Sequence, residues 1–539
     1  MKRKVLFWLV SVFFPGFLLG QNAAPVITNL AVNHSPANQT VTFDFDVSDA
    51  EGDPLDLQLR LSGDSGRTYV VTLLDSVTGD VGFPIAPGAG KQIVWHYSLA
   101  SLAADGLLGT VALEARLIAD DRIPIDIQTI VDQVDSTRLV DHLKFVEGIR
   151  HRNANPPQLQ VVRDSIASLM AARGLQDWHH TWPALGSQGE NYIGRIGGLT
   201  GERRTWYLSG HYDSVINSPG ADDNGTATSA LMEAVEILSA YQFRHSIRFC
   251  AFDLEESGLL GSIRYVNTQI PTWEDVGGLL NLEMIGYKDE AVNTQSLPNG
   301  FNLLFPTAYN AVEADSFRGN FLTNVANVAS DSLRLAFDSC AAAYVPDLKV
   351  ISLAAPGNAQ VAPDLRRSDH APFWDAGYRA LMLTDAADLR NPFYHSAADT
   401  IGTLDLAFYV QNVKAAVATL AKLAVPMHAG LASDTLQINV TVGIAPPPAG
   451  IALAIYPNPS PGHFNFKFVL QEAGPVRLSI LDLRGRTVRD LSPGQLPSGP
   501  HQLVWDGRST SGNALPNGSY WVVMHNRNGR ISQQIRIQR

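Results

Sequence analysis

The sequence has few cysteines, no cluster of basic residues beyond its first four positions and only one long apolar run. These shortages exclude several classes of protein. Cys250 and Cys340 are the two cysteines in 539 residues, so the disulfide framework of a small secreted scaffold is excluded. With 40 Lys and Arg against 52 Asp and Glu, the formal net charge is −12. Since no basic stripe is present, neither nucleic acid nor acidic membrane surfaces are expected as partners.

The one long apolar run lies at the amino end. The basic start MKRK leads into an apolar stretch that ends at Leu19, and small residues follow from Gly20. This layout is typical of a secretory signal, and the stretch is too short for a comfortable membrane span. We therefore expect residues 1–20 to be a signal peptide and the mature protein to be secreted, extracellular or at the cell surface. No other run approaches 18 apolar residues, so no membrane span is expected.

The two cysteines leave two alternatives open for an exported chain. Cys250 lies within an apolar strand pattern, and its spacing to Cys340 follows no known framework. A buried, unpaired thiol is the favoured interpretation, and a single disulfide is the alternative.

Changes of pattern along the chain predict three domains. Over residues 24–126, short alternating segments such as VTFDFDVSD and turn sequences such as DAEGDP predict an Ig- or fibronectin-like β-sandwich. Residues 131–426 alternate helical runs with compact apolar strands, which predicts an α/β domain with a largely parallel sheet. A linker over 433–450, containing IAPPPAG, is expected to precede a second small β-sandwich at 451–539.

Within the α/β domain, apolar strand patterns lead into side chains that can bind metals. Four such strands are followed by imidazoles or carboxylates: His211 and Asp213, Glu255 and Glu256, Glu283, and His395. Sites in open α/β sheets gather beyond the carboxyl ends of the strands, so these residues could meet in one crevice. Taken singly, each has a plainer explanation as a surface or core residue, but their shared placement favours a functional site. His179 and His180 match no such pattern, and surface positions are expected for both.

The segment GADDNGTATSALMEAVEIL, residues 220–238, raises a similar choice. Its second part is an amphipathic helix, so Asp222, Asp223 and Asn224 could simply cap that helix, which would contribute about 1 kcal/mol. A cap needs one acceptor, whereas this stretch offers three side chains. Two imidazoles and several carboxylates are suitable zinc ligands, and a two-metal site needs one carboxylate that spans both ions and another that is free to act as a base.

Six motifs resemble, in order, those of the di-zinc exopeptidases of peptidase family M28. The motifs are SGHYDS, GADDNGTA, DLEESGLLGS, LNLEMIGY, RSDHAPFWDAGYRALMLTD and FYHSAADT. The family includes secreted bacterial leucyl-type aminopeptidases, glutamate carboxypeptidases and the catalytically silent transferrin receptor. The resemblance covers about residues 131–426. It implies a three-layer α/β/α sandwich with a mixed, centrally parallel sheet, here flanked by N- and C-terminal β-sandwich modules.

Carried over position by position, the resemblance implies two Zn²⁺ ions per chain held by five side chains. The implied ligands are His211 and Glu283 for the first zinc, Glu256 and His395 for the second, and Asp223 as the bridge. Glu255 would be the general base acting on the attacking water. Asp213, Ser368 and Asp369 would orient the ligands, and His370 is expected to be structural. The implied activity is hydrolysis of peptide substrates from one end.

Two departures from the family pattern keep alternatives open. Several aminopeptidases have Asp where this chain has Glu283, and Leu365 stands where some secreted members have a phenol that assists the oxyanion. Arg366 and Arg367 follow, and an arginine that contacted a substrate carboxylate would make the enzyme a carboxypeptidase. We predict an aminopeptidase. The alternatives are a zinc carboxypeptidase or dipeptidase, and a surface binding protein with an inactive peptidase domain.

Residues 451–539 carry a second resemblance. YPNPSPG, LSILDLRGRTV and NGSYWVVMHNRNGRISQQI are similar to the sorting domains of the type IX secretion system. This similarity implies export across both membranes of a diderm bacterium, with the secretion machinery as a partner. An ordinary β-sandwich adhesion module is the alternative.

Overall fold

The computed structural model describes most of the chain between residues 22 and 538. The gaps are 65, 67–68, 70–76, 100–101, 103–106, 108, 272–273, 441–452, 457, 459, 471, 483–486 and 527–528. The expected signal peptide and the segment IAPPPAG lie outside the described residues. Among the helices that are described, none has the length and apolar character needed to cross a membrane.

Two four-stranded sheets form the N-terminal module. Seven strands come from the amino end: β1 (Val26–Ser35), β2 (Thr40–Ser48), β3 (Leu55–Ser62), β4 (Val77–Gly79), β5 (Gly82–Ile85), β6 (Gly88–His96) and β7 (Gly109–Asp120). The first sheet has the order β1-β2-β6-β4, and the second contains β7, β3 and β5. Alternate residues of β2 are buried, as expected for a strand with one face on a core.

An eight-stranded mixed sheet forms the centre of the chain. The strands that follow are β8 (Gln176–Ala184), β9 (Ser187–Ile196), β10 (Arg204–His211), β11 (Gln242–Phe243), β12 (Ser246–Phe252), β13 (Asp275–Glu283), β14 (Leu322–Asn327), β15 (Val350–Ala355) and β16 (Ala380–Thr384). All except β11 belong to this sheet, in the order β15-β14-β16-β13-β10-β12-β9-β8. The four central strands, β16, β13, β10 and β12, run parallel. Their outer neighbours β14 and β9 run antiparallel to them.

Helices cover both faces of this sheet. The α-helices are Ile127–Val131, Ser136–Val146, Pro156–Ala172, Ala227–Leu238, Leu260–Thr268, Phe301–Leu304, Pro306–Ala314, Asp331–Tyr344, His370–Asp375 and Leu406–Ala424. Short 3₁₀ turns lie at Val328–Ser330, Pro363–Arg366, Ala387–Leu389 and Ile401–Thr403. Neighbouring strand residues enter different cores, Tyr207 one and Leu208 the other, as in a sheet that is buried on both sides. The expected three-layer α/β/α fold with β-rich modules at both ends is confirmed.

Both cysteines are buried and free, as favoured from the sequence. Cys250 lies on β12 in one core, and Cys340 lies in the helix Asp331–Tyr344 in the other. The favoured alternative of unpaired thiols is therefore confirmed.

The chain leaves the α/β domain through β17 (Pro426–Met427), which pairs with β11, and β18 (Ala429–Val440). Strand β18 pairs with β7 at the edge of the second sheet of the N-terminal module. The predicted linker over 433–450 is therefore wrong for residues 433–440. Leu436 and Ile438 are buried while Gln437 between them is exposed, so this short stretch already has the alternation of a strand with one buried face.

Eight further strands form the C-terminal module. They are β19 (Leu453–Tyr456), β20 (Phe464–Leu470), β21 (Gly474–Leu481), β22 (Thr487–Asp490), β23 (Gly494–Leu496), β24 (Gly499–Trp505), β25 (Gly518–Asn526) and β26 (Gly529–Ile537). One sheet has the order β19-β20-β24 and another β22-β21-β25-β26, with β23 also on β21. Phe464, Leu478, Trp505 and Ile535 lie in its core. The N-terminal module and the α/β domain form one compact unit, residues up to 438 without 99–111, and the C-terminal module belongs to a second.

Candidate metal centre

The central parallel strands deliver the predicted residues to one edge of the sheet. Strand β10 ends at His211 and β13 ends at Glu283. Glu255 and Glu256 follow β12 within four residues, and His395 lies in the loop after β16. Because parallel strands point their carboxyl ends to the same edge, residues separated along the chain become neighbours.

The residues before the helix Ala227–Leu238 do not cap it. The N-cap residue, Thr226, makes no side-chain hydrogen bond to the helix, and Asp222, Asp223 and Asn224 lie in an irregular turn, Ala221–Thr226. Gly220 enters this turn with a φ of +61°, and a Cβ there would lie 2.3 Å from the carbonyl oxygen of Asp223. Only glycine fits this approach. The three polar side chains therefore face the strand ends, and the helix-cap alternative is excluded.

Five of the predicted residues form two groups that share Asp223. The first group is His211, Asp223 and Glu283, and the second is Asp223, Glu256 and His395. Within each group, one possible ligand atom from each residue lies within 4.8 Å of the others.

Asp223 presents one oxygen to each group. Its Oδ1 lies 3.5 Å from His211 Nε2, and its Oδ2 lies 3.1 Å from His395 Nε2. Glu283 Oε1 is 3.5 Å from His211 Nε2, and Glu256 Oε2 is 3.2 Å from His395 Nε2. A carboxylate placed in this way can span two metal ions.

Glu255 lies beside the first group without belonging to either. Its Oε2 is 3.8 Å from His211 Nε2. Burial raises the pKa of Glu255 well above its ordinary value, and the charges of Glu283, Asp369 and Glu256 raise it further. This position leaves one carboxylate available for proton transfer.

Two of the three predicted orienting residues contact the groups. Asp213 Oδ1 lies 3.4 Å from His211 Nδ1, and its carboxylate accepts hydrogen bonds from the amides of Glu255 and Glu256. The Ser368 hydroxyl donates to Glu283 Oε2 at 2.5 Å. These bonds fix the ring of His211 and the carboxylate of Glu283.

The neighbours of Ser368, Asp369 and His370, are buried and have no described hydrogen bond to a candidate ligand. Asp369 is fully buried, and among the described contacts no hydrogen bond joins it to a residue of either group. Burial raises the pKa of Asp369 to about 7. His370 is structural, as expected: its Nε2 lies 2.8 Å from the carbonyl oxygen of Leu365, and its ring packs edge-on against Trp374.

Sequence reasoning noticed Asn224 and Asp399 but gave neither a specific role, and both help to position the candidate ligands. Asn224 donates from Nδ2 to Glu283 Oε2 at 3.3 Å and accepts from the Met284 amide through Oδ1. Asp399 accepts from the backbone amides of both Asp222 and Asp223, at 2.8 and 3.1 Å. Asp399 was visible in the motif YHSAADT, but its contacts are with backbone groups 176 and 177 residues away, which no local pattern reveals.

A buried arginine, which sequence reasoning missed, lies behind the turn. Arg150 is fully buried and donates to the carbonyl oxygens of Tyr212, Pro219 and Gly220. These bonds hold the two ends of the loop that carries Asp223, and they place a positive charge near a group of carboxylates.

Of His179 and His180, for which surface positions were expected, His180 is buried, so that expectation is wrong for His180. It is 6% exposed, packed between the rings of Trp182 and Tyr265. Its ring nitrogens lie 3.3 Å from Asn191 Nδ2 and 3.4 Å from Thr268 Oγ1. The aromatic neighbours on β8 and in the helix Leu260–Thr268 explain the burial.

The residues present fit zinc. His211 Nε2 and Glu256 Oε1 are buried and have no hydrogen-bond partner among the described residues, an expensive condition that a metal ion would relieve. Burial and the charge of Asp223 raise the pKa of Glu256 to about 7, because the acidic groups repel one another. Imidazole nitrogen and carboxylate oxygen are ordinary zinc ligands, and two cations would offset this repulsion.

The two arginines after Leu365 are already paired. Arg366 donates to Asp375 at 2.7 Å and to the carbonyl oxygen of Asn358. Arg367 donates to Asp388 at 3.0 Å and to the hydroxyl of Tyr394 at 3.2 Å.

An apolar cavity of about 100 Å³ opens beside Glu283. Leu297, Phe301, Leu365 and Tyr394 line it together with residues of the sheet. The ring of Tyr394 stacks on that of His395, with centroids 3.8 Å apart. The cavity is therefore next to both ligand groups.

Two family models match parts of the chain. Residues 191–420 match Peptidase family M28, and residues 460–530 match the FlgD Ig-like domain. The first match contains all five predicted ligands and Glu255. The predicted resemblance to peptidase family M28 is thus confirmed for this part of the chain. The type IX sorting role of the C-terminal module stays a prediction.

Curated relatives match part of the chain. Aminopeptidase YwaD of Bacillus subtilis (strain 168) is 29% identical over 201 residues, which is 36% of this chain and 36% of the relative. The uncharacterized protein YfbL of Escherichia coli (strain K12) is 28% identical over 228 residues, 40% of this chain and 65% of the relative. The chain thus spans between about a third and two thirds of the length of these relatives.

Solved structures are also similar to part of the chain. The zinc aminopeptidase BSAP from Bacillus subtilis is 26% identical, with a TM-score of 0.33 over 44% of this chain and 50% of that one. The LapA aminopeptidase of Legionella pneumophila is 18% identical, with a TM-score of 0.43 over 56% of this chain and 73% of that one.

Proposed function

We propose that the protein is a secreted two-zinc exopeptidase, and specifically an aminopeptidase that removes residues from the amino end of peptides. The observation that carries the proposal is Asp223, whose two oxygens face two separate ligand groups 3.5 and 3.1 Å away. A single-metal site would not need a carboxylate in this position.

Each ion would have one histidine, one glutamate and a share of Asp223. His211 and Glu283 would hold the first ion, and Glu256 and His395 the second. When bound, zinc ions lower the pKa of water and polarise the carbonyl of the scissile bond.

Glu255 would move the proton. It lies 3.8 Å from His211 Nε2 and outside both groups, so its carboxylate is free to accept a proton from the attacking water. The resulting carboxylic acid would return that proton to the departing amine. The carboxylate of Asp213 accepts hydrogen bonds from the backbone amides of both Glu255 and Glu256. These bonds would keep the base, Glu255, at a fixed distance from the metal ligand, Glu256.

One observation favours an aminopeptidase over a carboxypeptidase. Arg366 and Arg367, the candidates for binding a substrate carboxylate, are each engaged with an aspartate. The name of one relative, Aminopeptidase YwaD of Bacillus subtilis, agrees with this choice.

A mass-spectrometric time course on a mixed pool of peptides tests the activity. The zinc-loaded protein is compared with Glu255→Gln, which keeps the shape of the side chain and removes the base. Ladders that shorten from the amino end, and are absent with the variant, would establish the aminopeptidase. Shortening from the carboxyl end would replace it with the carboxypeptidase alternative.

Zinc stoichiometry separates the enzyme from a silent binding domain. We expect two zinc ions per chain in the wild-type protein and a loss of both upon Asp223→Ala, since each group depends on this residue. No bound zinc after purification in excess zinc would favour the inactive alternative.

We also propose secretion and sorting by the type IX machinery, from the resemblance of residues 451–539. A chain without these residues should stay inside a type IX-competent host, while the full chain should reach the medium or the cell surface. Equal export of both chains would leave the C-terminal module as an ordinary β-sandwich.

A further inference from the structure

A chain of hydrogen bonds leads from the central sheet to Glu283. The Ser209 hydroxyl donates to Asn281 Oδ1 at 2.6 Å, and Asn281 Nδ2 donates to Ser368 Oγ at 2.7 Å. The Ser368 hydroxyl in turn donates to Glu283 Oε2 at 2.5 Å. Ser209, Asn281 and Ser368 are all fully buried, so bulk water does not compete for these bonds.

Ser209 and Asn281 lie one row below the first ligand group. Ser209 precedes His211 by two residues on β10, and Asn281 precedes Glu283 by two residues on β13. The register pairs Ser209 with Asn281 across the two strands. Because alternate residues of a strand point to the same face, this polar pair lies on the face of the sheet that carries His211 and Glu283.

The polar pair interrupts an otherwise apolar row. Across the neighbouring strands, Ser209 also pairs with Cys250 on β12, and Asn281 also pairs with Met382 on β16. Apolar side chains would satisfy packing at these two positions, since a buried polar group costs free energy unless it is hydrogen-bonded. The bonds that offset this cost lead to a candidate metal ligand, which indicates a role at the metal centre.

The carboxylate at the end of the chain determines the direction of every bond in it. An ionised carboxylate only accepts, so the Ser368 hydroxyl must donate its single hydrogen to Glu283. The Ser368 oxygen then accepts from Asn281 Nδ2, and this leaves Asn281 Oδ1 to accept from Ser209. Glu283 is thereby held with Oε2 on the serine and Oε1 3.5 Å from His211 Nε2.

We infer that Asn281 is a positioning residue for the first zinc ion, acting through Ser368 on Glu283, and that Ser209 keeps the amide of Asn281 in the required orientation. This inference rests on the proposed two-zinc function. Partners of metal ligands fix the orientation of those ligands and so affect metal affinity.

The effect should be confined to the first ion. Among the described hydrogen bonds, none joins Ser209, Asn281 or Ser368 to Glu256 or His395. The second group should therefore keep its geometry when the chain of bonds is broken.

The test measures zinc affinity by competition with a chromophoric chelator, in full chains that retain one ligand group. His395→Ala leaves the group of His211 and Glu283, and His211→Ala leaves the group of Glu256 and His395. Asn281→Leu preserves the approximate size of the side chain and removes its amide group. We expect it to lower zinc affinity by about 10–100-fold in the His395→Ala chain, and to leave the affinity of the His211→Ala chain unchanged.

Ser209→Ala is a milder variant that decides the same question if Asn281→Leu does not fold. It removes one hydroxyl from the far end of the chain of bonds. We expect the affinity of the His395→Ala chain to fall by about two- to tenfold, the effect of one neutral hydrogen bond, again without change in the His211→Ala chain.

Asn324→Leu is the matched control. Asn324 is equally buried on β14, and its described hydrogen bonds go to the carbonyl oxygen of Arg334 and to Asp338 rather than to a candidate ligand. It should leave both affinities unchanged.

The outcomes separate the inference from the proposed function. Equal losses in the two single-group chains, as a general loss of structure would cause, or no loss in either, overturn the inference and leave the two-zinc centre standing. A wild-type chain that binds no zinc overturns both.

Discussion

At the scale of single residues, the geometry of the candidate metal centre depends on side chains whose described hydrogen bonds go to the backbone and not to the coordinating atoms of the candidate ligands. Asp399 holds two consecutive backbone amides, and Arg150 ties the ends of the same loop through carbonyl oxygens. Both fix the backbone on which Asp223 is mounted. Positioning of this kind commonly changes metal affinity as strongly as some ligands do.

Asp399→Asn tests this role. An asparagine keeps one acceptor oxygen but turns an amide group toward a backbone N–H, so the turn should loosen. We expect zinc affinity to fall by about 10–100-fold, measured by competition with a chromophoric chelator. The exposed Asp434→Asn is the control. If neither Asp399→Asn nor Asp434→Asn changes the zinc affinity, Asp399 has no influence on the position of the bridging residue Asp223.

His180 supplies a prediction about pH. Burial, assisted by the charge of Arg264, lowers the pKa of His180 to about 4, from 6.5 in the unfolded chain. Between these values the unfolded state binds more protons than the folded state, so stability falls as pH falls below about 6.5. His180→Gln should reduce the loss between pH 7 and pH 5 by about 1–2 kcal/mol, measured by urea unfolding.

His179→Gln is the matched control, because it removes an exposed imidazole from the adjacent position of β8. If the two variants and the wild type lose stability in parallel on acidification, the buried imidazole does not contribute to the pH dependence.

At the scale of secondary structure, the four central strands β10, β12, β13 and β16 were readable because each is a compact apolar run that leads into a polar motif. The same reasoning failed for β18. The sequence shows only one short alternation of apolar and polar residues there, around Leu436 and Ile438, directly before a Pro-rich segment. This stretch forms a strand because it pairs with the edge of β7, which lies more than 300 residues earlier in the chain.

The five candidate ligands could be named from the sequence because ordered motifs mark them, whereas the cavity beside Glu283 could not have been predicted. Strands β13, β14, β15 and β16 contribute to its lining, and Leu297 and Phe301 reach it from the chain between β13 and β14. No local pattern shows that these segments meet.

Ile438→Asp tests the placement of β18. Ile438 is fully buried, so a carboxylate there would lose its hydration as well as the packing of the side chain. We expect a loss of about 3 kcal/mol or more in unfolding free energy. Gln437→Asp, one residue earlier on the exposed face, should change it by less than about 0.5 kcal/mol. Equal effects of the two substitutions would contradict a strand at this position.

At the scale of the whole molecule, all five candidate ligands belong to the compact unit that contains the N-terminal module and the α/β domain. Without metal, their carboxylates repel one another in a buried crevice, which lowers the stability of that unit. Cations that bind the folded state remove this penalty.

Zinc should therefore stabilise one part of the chain. At a zinc concentration about a thousandfold above Kd, we expect about 4 kcal/mol of added stability, seen in calorimetry as a higher unfolding temperature for the α/β transition. The C-terminal module, followed through the fluorescence of its buried Trp505 in a chain limited to residues 451–539, should not respond to zinc. A zinc-dependent shift of that module would place a metal site where none is expected.

The return of β18 to the N-terminal module has a consequence for biosynthesis. The α/β domain is an insertion within a sandwich, because β7 ends at Asp120 and its neighbour β18 begins at Ala429. At about 5–20 residues per second, a ribosome needs roughly 15–60 s to make the intervening segment. The edge of β7 stays open throughout that time, so the sandwich is closed only after the α/β domain has been synthesised.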